Sequence, residues 1–416
     1  MMNGSNTAAS PSHDVIIVGG GLVGASLSCA LAPLGLNIAL IEAVTFKAAS
    51  QPSYDDRTLA LSASSCRILE AMGVWPMLKD EATAIREIHV RELDRPGHVV
   101  MTPDELGLDR FGHVVEARAF GAAMSAILPR LDEVDFLCPA SVGAIRSAGD
   151  QVMVDYSDEG GNGQISARLL VGADGARSFV RESLGIETER HDYRQTAVIC
   201  NVTPEQDHRG RAFECFTPSG PFAVMPHVNG RCGLIWCVES DRAQALLDLT
   251  DAEFLQQAQR RFGGHLGAFL KVGKRSSYPL RLVRAQEDIR PRTVILGNAA
   301  HAIHPIGAQG FNLGLRDVAV LAEVLAEAAR RSGASEIGNP EVLRRYSDWR
   351  APDHRGTIAY SDGLARLFSN PSSVAAAART AGLLAHAFIP TLRRQLAIRA
   401  MGFRGRIPRL ALGEPL

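Results

Sequence analysis

Residues 14–42 read DVIIVGGGLVGASLSCALAPLGLNIALIE, and this stretch decides the fold. Asp14 to Val18 is a short apolar run rich in β-branched residues. A glycine cluster follows, then a helix-like pattern from Leu22 to Leu34, and then Asn37 to Glu42, again apolar until its last residue. The order is strand, tight turn, helix, strand, which opens a dinucleotide-binding βαβ unit. Gly19, Gly21 and Gly24 stand in the G-x-G-x-x-G spacing. The first glycine turns the chain, the second lets backbone approach a pyrophosphate, and the third packs helix against strand. Glu42 ends the next strand about twenty residues on, where a carboxylate accepts hydrogen bonds from a ribose 2′-hydroxyl and repels a 2′-phosphate. The pattern therefore predicts FAD or NAD rather than NADP at this site.

Working outward, Arg168 to Val171 (RLLV) and Thr293 to Leu296 (TVIL) are two more short apolar runs, each ending in a glycine-containing turn. Both read as interior parallel strands. Between them, from about Thr196 to Val238, apolar residues alternate with polar or small ones, which is antiparallel-sheet texture. A second domain inserted into the first is expected. Beyond about Asp353 the chain turns helical and Ala-rich, and its last stretch is basic.

The 416 residues are 46% hydrophobic and 21% charged, enough for a large core and two structural units. Lys and Arg number 44 against 45 Asp and Glu, so the global basic field that a nucleic-acid binder needs is missing. The seven cysteines are scattered, with no C-x-x-C pair and no zinc spacing, and read as reduced core thiols; no metal is expected. Residues 1–13 are small and polar, fit neither a secretory signal nor a transit peptide, and read as a disordered tail. No apolar run reaches the roughly 18–20 residues that span a bilayer. No Ser-His-Asp order, Walker lysine or paired carboxylate supports a hydrolase or kinase.

The segments GADGARSFV (172–180) and GNAAHAIHPIGAQGFNLGLRD (297–317) follow the second and third buried strands. With the N-terminal fingerprint they make three ordered motifs, and here the chain resembles the group A flavoprotein monooxygenases typified by para-hydroxybenzoate hydroxylase. The likeness covers most of residues 14–350. Within that family it is nearest to the ubiquinone-biosynthesis hydroxylases, in particular the 2-octaprenyl-6-methoxyphenol hydroxylases. The residues that carry this are DRTLAL (56–61), VVEAR (114–118), GRAFECF (210–216), GPFAVMP (220–226), GRCGLIWC (230–237) and Gly307 to Asp317.

The resemblance implies an α/β fold: an FAD-binding Rossmann-like domain of the para-hydroxybenzoate hydroxylase type, an inserted antiparallel-sheet substrate domain and a C-terminal helical segment. The expected division is residues 14–80, 112–180 and 286–352 for the FAD domain, 81–111 and 181–285 for the substrate domain, and 353–416 for the helices. The implied activity is hydroxylation of a polyprenylated phenol in ubiquinone biosynthesis. FAD is the resident cofactor, NAD(P)H a transient co-substrate and O2 the oxidant, with oxygen delivered from a flavin C4a-hydroperoxide. A hydroxylase of a small soluble aromatic, a flavin reductase of isoprenoid chains and a non-catalytic flavin-binding scaffold subunit are the rival readings.

Site residues carried over with the resemblance are Arg57 and Arg118 near the flavin, and Asp174 in the Asp-Gly motif, where an Asx-turn role is the alternative. Gly297 and Asn298 would meet the ribityl chain. Asn298 stands where the family has Asp, which removes a charge but keeps a hydrogen-bonding group. Pro305 would line the flavin edge. Gly310, Phe311 and Asn312 would begin a helix whose free N–H groups face the flavin pyrimidine. His304 and Pro305 are the candidate catalytic residues, with His301 beside them; both histidines read equally as polar turn residues. Phe213, Phe222, Met225 and Trp236 are expected either to wall the substrate ring or to fill ordinary core. The segment from Ala381 to Leu410 carries six arginines among apolar residues and no acids. It is read either as an amphipathic membrane contact or as a packed helix with a solvated basic face. The location expected is cytoplasmic and peripheral on the inner membrane surface, with a ubiquinone-biosynthesis complex as further partner.

Overall fold

The computed structural model describes residues 11–45 and 55–416. The opening stretch forms β1 (His13–Val18), α1 (Leu22–Leu31) and β2 (Ile38–Ile41). There follow β3 (Thr58–Ser62), β4 (Glu87–Glu92), β5 (His98–Met101), the long β6 (Gly161–Gly172), and then β7 (Thr188–Pro204), β8 (Arg211–Thr217), β9 (Gly220–Pro226) and β10 (Cys232–Glu239). After α2 (Asp251–Phe262) come β11 (Thr293–Ile295), α3 (Gln309–Ser332), α4 (Pro340–Ser369), α5 (Ser373–Phe388) and α6 (Pro390–Ala400). Residues 1–10 of the expected N-terminal tail lie outside the described residues. Its last two are ordered: His13 opens β1, and Ser12 Oγ donates to the Ser166 carbonyl at 2.9 Å.

In the first sheet β11, β6, β1, β2 and the strand Val134–Leu137 run parallel in that order. Both faces of β1 are buried, which is why its sequence is a continuous apolar run rather than an alternating one. Val15 and Ile17 pack on α1 and α3, against Leu27, Leu315 and Leu321. Ile16 and Val18 pack on the opposite side against Val152 and Val154 of an antiparallel hairpin. The second sheet takes its strands from residues 87–101 and 188–285, with His301–Ala302 at one edge. It is antiparallel except where β4 and β8 run parallel. That departure has a simple cause: no tight turn joins β4 to β8, so nothing forces them to oppose.

Along β8 the side chains alternate as the pleat demands. Phe213 and Cys215 turn towards α2, with Phe254 and Phe262, while Ala212 and Phe216 turn to the other face. All seven cysteines are free, and burial pushes the thiols of Cys29, Cys66, Cys200 and Cys232 up to about 12. Thiols so placed are poor nucleophiles. Among the described residues no helix is long and apolar enough to cross a membrane.

One polar cluster holds the helices to the first sheet. The fully buried Asp317 of α3 accepts from Arg350 Nε at 2.7 Å and His354 Nε2 at 2.6 Å, both on α4. It also accepts from His301 Nε2 at 2.7 Å and from the Gly297 amide at 3.2 Å, both in the stretch after β11. Arg350 and Arg316 each reach Asp353 Oδ2 at 2.7 Å. The ligand atoms of His301, Asp317 and His354 come within 4.8 Å of one another, as in a metal site. The Arg350 guanidinium already sits on the same carboxylate, so the cluster is neutralised by a fixed cation.

Burial by itself raises the Asp317 carboxyl. The charges of His354, Arg350 and His301 outweigh it and hold the group well below the usual carboxylate range. A depressed folded pKa contributes stability that is complete above the unfolded value, near pH 4, and drains away as the pH falls towards the folded one. Asp317→Asn leaves Arg350 buried without its counter-charge. It should cost about 3–5 kcal/mol at pH 7, read as a lower urea midpoint. On acidification below about pH 4 the wild type should lose stability faster than the variant.

Candidate active site

Because β1, β6 and β11 are adjacent and parallel, the loops that leave them emerge at one edge of the sheet. Gly19 has φ +103, and a Cβ there would lie 2.6 Å from the Ala173 carbonyl oxygen. On Gly24 a Cβ would lie 1.8 Å from the Gly19 oxygen. The first glycine turn thus rests on the Asp-Gly loop with no room for a side chain. Val23 of α1 in turn meets the third loop, 3.0 Å from where a Cβ on Gly297 would be. Three segments separated by more than a hundred residues in sequence form one cradle.

Gly21 caps α1 in extended backbone, φ −68 and ψ −169, with no side-chain hydrogen bond and no acid in the first turn. The first-turn N–H groups of α1 have no side chain to satisfy them, which is the arrangement that binds an anion. Glu42, 7% exposed, lies against the turn: Oε2 accepts from the Gly20 amide at 2.6 Å and Oε1 from the Val44 amide at 2.8 Å. Asp174 Oδ2 accepts from the Val180 amide at 3.0 Å, six residues on, while Oδ1 is buried with no partner. Burial raises the Asp174 carboxyl, against the pull of Ser178 and backbone amides.

Beyond β11, Asn298 is exposed in a single turn, Gly297–Ala299. Pro305 leads into a second turn, Ile306–Ala308, and α3 starts at Gln309, so Gly310, Phe311 and Asn312 lie in its first turn rather than before it. Ala308 caps α3 in the left-handed region, φ 52, without a side-chain bond, and no acid lies in that turn. This second helix start presents free amides to whatever lies before it. Phe311 meets Phe120 edge-on. The Asn312 side chain is committed internally: Oδ1 accepts from Ser62 N and Ser65 Oγ, and Nδ2 donates to the Ala60 and Ala308 carbonyls. It pins β3 to α3. The two unsatisfied helix starts and the glycine cradle between them fit an elongated dinucleotide.

The two histidine candidates turn out to be packing residues. His301 belongs to the Asp317 cluster. His304 lies 3.1 Å by its Nε2 from Gln195 Oε1 and meets Tyr193 edge-on, and burial lowers its pKa to about 4. It is neutral at physiological pH and off the cavity wall. Arg57 Nε donates to Asp55 Oδ1 at 2.7 Å. Arg118 pairs with Glu116 and Asp56 and borders a polar cavity of about 330 Å³ shared with Asn201, Arg231 and Lys271.

A second, apolar space of about 320 Å³ begins at the start of α3 and at β3, beside Ile306 to Gln309 and Ala60 to Ser62. It runs under the second sheet, past Ile88, Val90 and Met101, to Tyr360 and Phe368 of α4, Leu383 of α5 and Leu396 of α6. Phe213 and Met225 border it. Phe222 and Trp236 do not: they pair across β9 and β10 on the opposite face and pack on Phe254 of α2, so their place is the core.

Three features escaped the reading of the sequence. The wall made by α4, α5 and α6 came from a segment read as helical, Ala-rich and basic; its signal was the recurrence of Tyr360, Leu364 and Phe368 at helical spacing on α4. Several of its arginines are spoken for: Arg393 binds Glu105, Arg399 lies over Tyr360 and Arg406 over Trp349. The Asp317 cluster is a second omission. The third is Glu214, which shares the cavity face of β8 with Ala212 and Phe216. It has no hydrogen-bond or ion-pair partner among the described residues, and burial pushes its carboxyl up to about 7.

Comparison with known proteins agrees with this geometry. The family described as FAD binding domain matches residues 12–359. The chain is 41% identical to ubiquinone hydroxylase UbiL of Rhodospirillum rubrum over 407 residues, covering 97% of this chain and 93% of that protein. It is 32% identical to the 3-demethoxyubiquinol 3-hydroxylase of Escherichia coli K12, covering 94% and 98%. The fold is that of p-nitrophenol 4-monooxygenase PnpA from Pseudomonas putida DLL-E4, with a TM-score of 0.77 at 20% identity over 94% of this chain and 98% of that one. The chain belongs to the FAD binding domain family and, among the ubiquinone hydroxylases within it, is an FAD-dependent monooxygenase.

Proposed function

We propose that the protein hydroxylates the ring of a phenol bearing a polyprenyl tail in ubiquinone biosynthesis, with NAD(P)H as electron donor, and that the tail reaches it from a membrane surface. The observation that carries this reading is the apolar cavity of about 320 Å³ running from the first turn of α3 to α5 and α6. The names of the relatives support the pathway. Bound FAD supplies the acceptor for the NAD(P)H hydride and the activation of O2 into an electrophilic oxygen donor.

The chain's own part is to hold and to exclude. Gly19, Gly21 and Gly24 with the first turn of α1 would take the pyrophosphate, Glu42 a ribose hydroxyl, and Asn298 a ribityl hydroxyl. Arg57, Arg118 and Asp174 would stand at the edges of the cofactor, and Pro305 beside the ring. The free amides of α3 at Gly310 and Phe311 would stabilise negative charge on the ring's pyrimidine end. The cavity walls, Met225 among them, would hold the phenol's reacting carbon in place and keep water from the oxygen donor.

Phe388, at the end of α5, is 80% exposed and Ile389 beside it 47%, two and three residues beyond the cavity residue His386. Exposed large apolar residues at the end of a cavity-lining helix suit insertion between lipid headgroups. This shifts the membrane contact from the arginines to the turn between α5 and α6, and it favours a lipid-borne substrate over a small soluble aromatic.

The direct test is NAD(P)H oxidation by the flavin-loaded protein. A geranylated phenol should accelerate it and yield one hydroxylated ring per reductant consumed, whereas a soluble benzoate should not. Acceleration by the benzoate alone would favour the soluble-substrate reading, saturation of the prenyl chain a reductase, and reoxidation without any product a scaffold subunit. Gly21→Val should purify folded, because φ −68 suits any residue, yet retain less than about a tenth of the wild-type flavin absorbance, since its side chain occupies the pyrophosphate approach. In flotation with anionic vesicles, Phe388→Asp should reduce the bound fraction, with partitioning weakened about tenfold or more. Equal flotation would remove the membrane contact.

A further inference from the structure

The cavity wall is apolar except at a few points, and nearly all of those are already occupied. Arg379 donates to Glu92 at 2.8 Å and to the Leu367 and Asn370 carbonyls. His386 Nδ1 lies 2.8 Å from the Gly382 carbonyl. Asn312 is fully committed to β3 and α3. Glu214 is the one carboxylate among the described lining residues, and it has no hydrogen-bond or ion-pair partner among the described residues. It lies in the middle of β8, opposite Ala223 of β9 and beside Val90 of β4, on the face that looks into the cavity. Neither neighbouring strand offers it a donor. A carboxylate left in apolar surroundings without a partner carries a desolvation cost, and such a cost is usually tolerated where a ligand supplies the missing group.

From this we infer that Glu214 is the residue that recognises and activates the substrate hydroxyl: its carboxylate accepts the hydrogen bond of the phenolic O–H and takes that proton as the ring is hydroxylated. This rests on the proposed phenol substrate and adds the group that reads it. The occupant is thereby restricted to a ring with a free hydroxyl near β8 and its apolar tail towards α5 and α6. In the step, the phenolic O–H bond breaks and a carboxylic O–H forms on Glu214. The electron pair left on oxygen moves into the ring and out through the carbon that forms the new C–O bond. The resulting dienone regains aromaticity when that carbon loses its hydrogen as a proton, which balances the charge left on the spent oxygen donor. Glu214 then returns its own proton to the product oxygen.

Burial pushes the Glu214 carboxyl up to about 7, in the range where a general base works at physiological pH. The other titratable groups that feel its charge are Tyr360 from α4, Cys237 from β10 and Cys215 from β8, whose thiol burial pushes up to about 11, while Arg379 and His386 from α5 line the same cavity. Burial raises Tyr360 to about 12 and carries Cys237 above that range, so neither changes charge near neutrality. His386 has to be separated by mutation.

The test is calorimetric binding of 2-geranylphenol and of its methyl ether to the flavin-loaded protein, with turnover measured in parallel. At pH 8 the wild type should bind the phenol at least about tenfold more tightly than the ether, a charge-assisted hydrogen bond being worth that much. The preference should fall as the pH is lowered from 8 to 6 and Glu214 takes up a proton. Glu214→Leu should keep its flavin, bind the ether as well as or better than the wild type, and bring the preference to within about twofold. Glu214→Gln should lose the pH dependence of both preference and turnover, whereas His386→Asn should keep it. An undiminished preference in Glu214→Leu, or no preference in the wild type, overturns the assignment of Glu214 and leaves the proposed substrate class standing. Binding of neither compound by the flavin-loaded wild type overturns that substrate class, and this assignment with it.

Discussion

The architecture depends on a backbone contact that admits no side chain. Gly19 rests on the Ala173 carbonyl and Gly24 on Gly19, so the turn after β1 and the turn after β6 are locked together at the edge of the parallel sheet. Val23 extends the lock to Gly297 after β11. Side chains at the two glycines would push the loops apart and carry the helix start with them. Because the contact is made of backbone, it holds the loops close together and leaves amides, not side chains, at their surface.

A second constraint is electrostatic. Asp317 sits beneath α3 as a buried charge neutralised by Arg350, His354 and His301. It joins the helix whose first turn faces the cavity both to the stretch after β11 and to α4, which forms part of the cavity wall. Had it been an apolar contact, α3 could slide along its axis with little loss. Charged hydrogen bonds of fixed length do not permit that, and the start of α3 keeps its position relative to β3, where Asn312 completes the link.

The cavity follows from these two constraints and from the alternation along β8, β9 and β10. One face of the second sheet meets α2 and is filled with aromatic side chains, and the other meets no helix until the chain returns as α4, α5 and α6. Among the described residues the space between them is lined mostly with apolar side chains and carries one carboxylate, Glu214. Low polarity is what an electrophilic oxygen donor requires for its lifetime, and it also makes that single carboxylate strong as an acceptor.

The sequence alone carried the strands that are buried on both faces, the three motif loops and the cofactor class, because each is encoded within a few consecutive residues: an apolar run, a glycine spacing, an acid at a strand end. The alternation in the second sheet was equally legible, but which face looks at the cavity was not. Phe213, Phe222, Met225 and Trp236 read alike until pairing across β8, β9 and β10 sorted Phe213, Phe222 and Trp236 to the face packed on α2. His301 and His304 looked like chemistry because histidine carries it so often, yet Nε2 of each is engaged by a partner elsewhere in the chain, Asp317 for His301 and Gln195 for His304. Glu214 and the wall of α5 and α6 were decided only by tertiary structure, since a side chain's solvent is set by elements distant in sequence that no local pattern names. The residues determined how each segment folds and which cofactor it suits, while packing determined which of them stand empty-handed in the cavity.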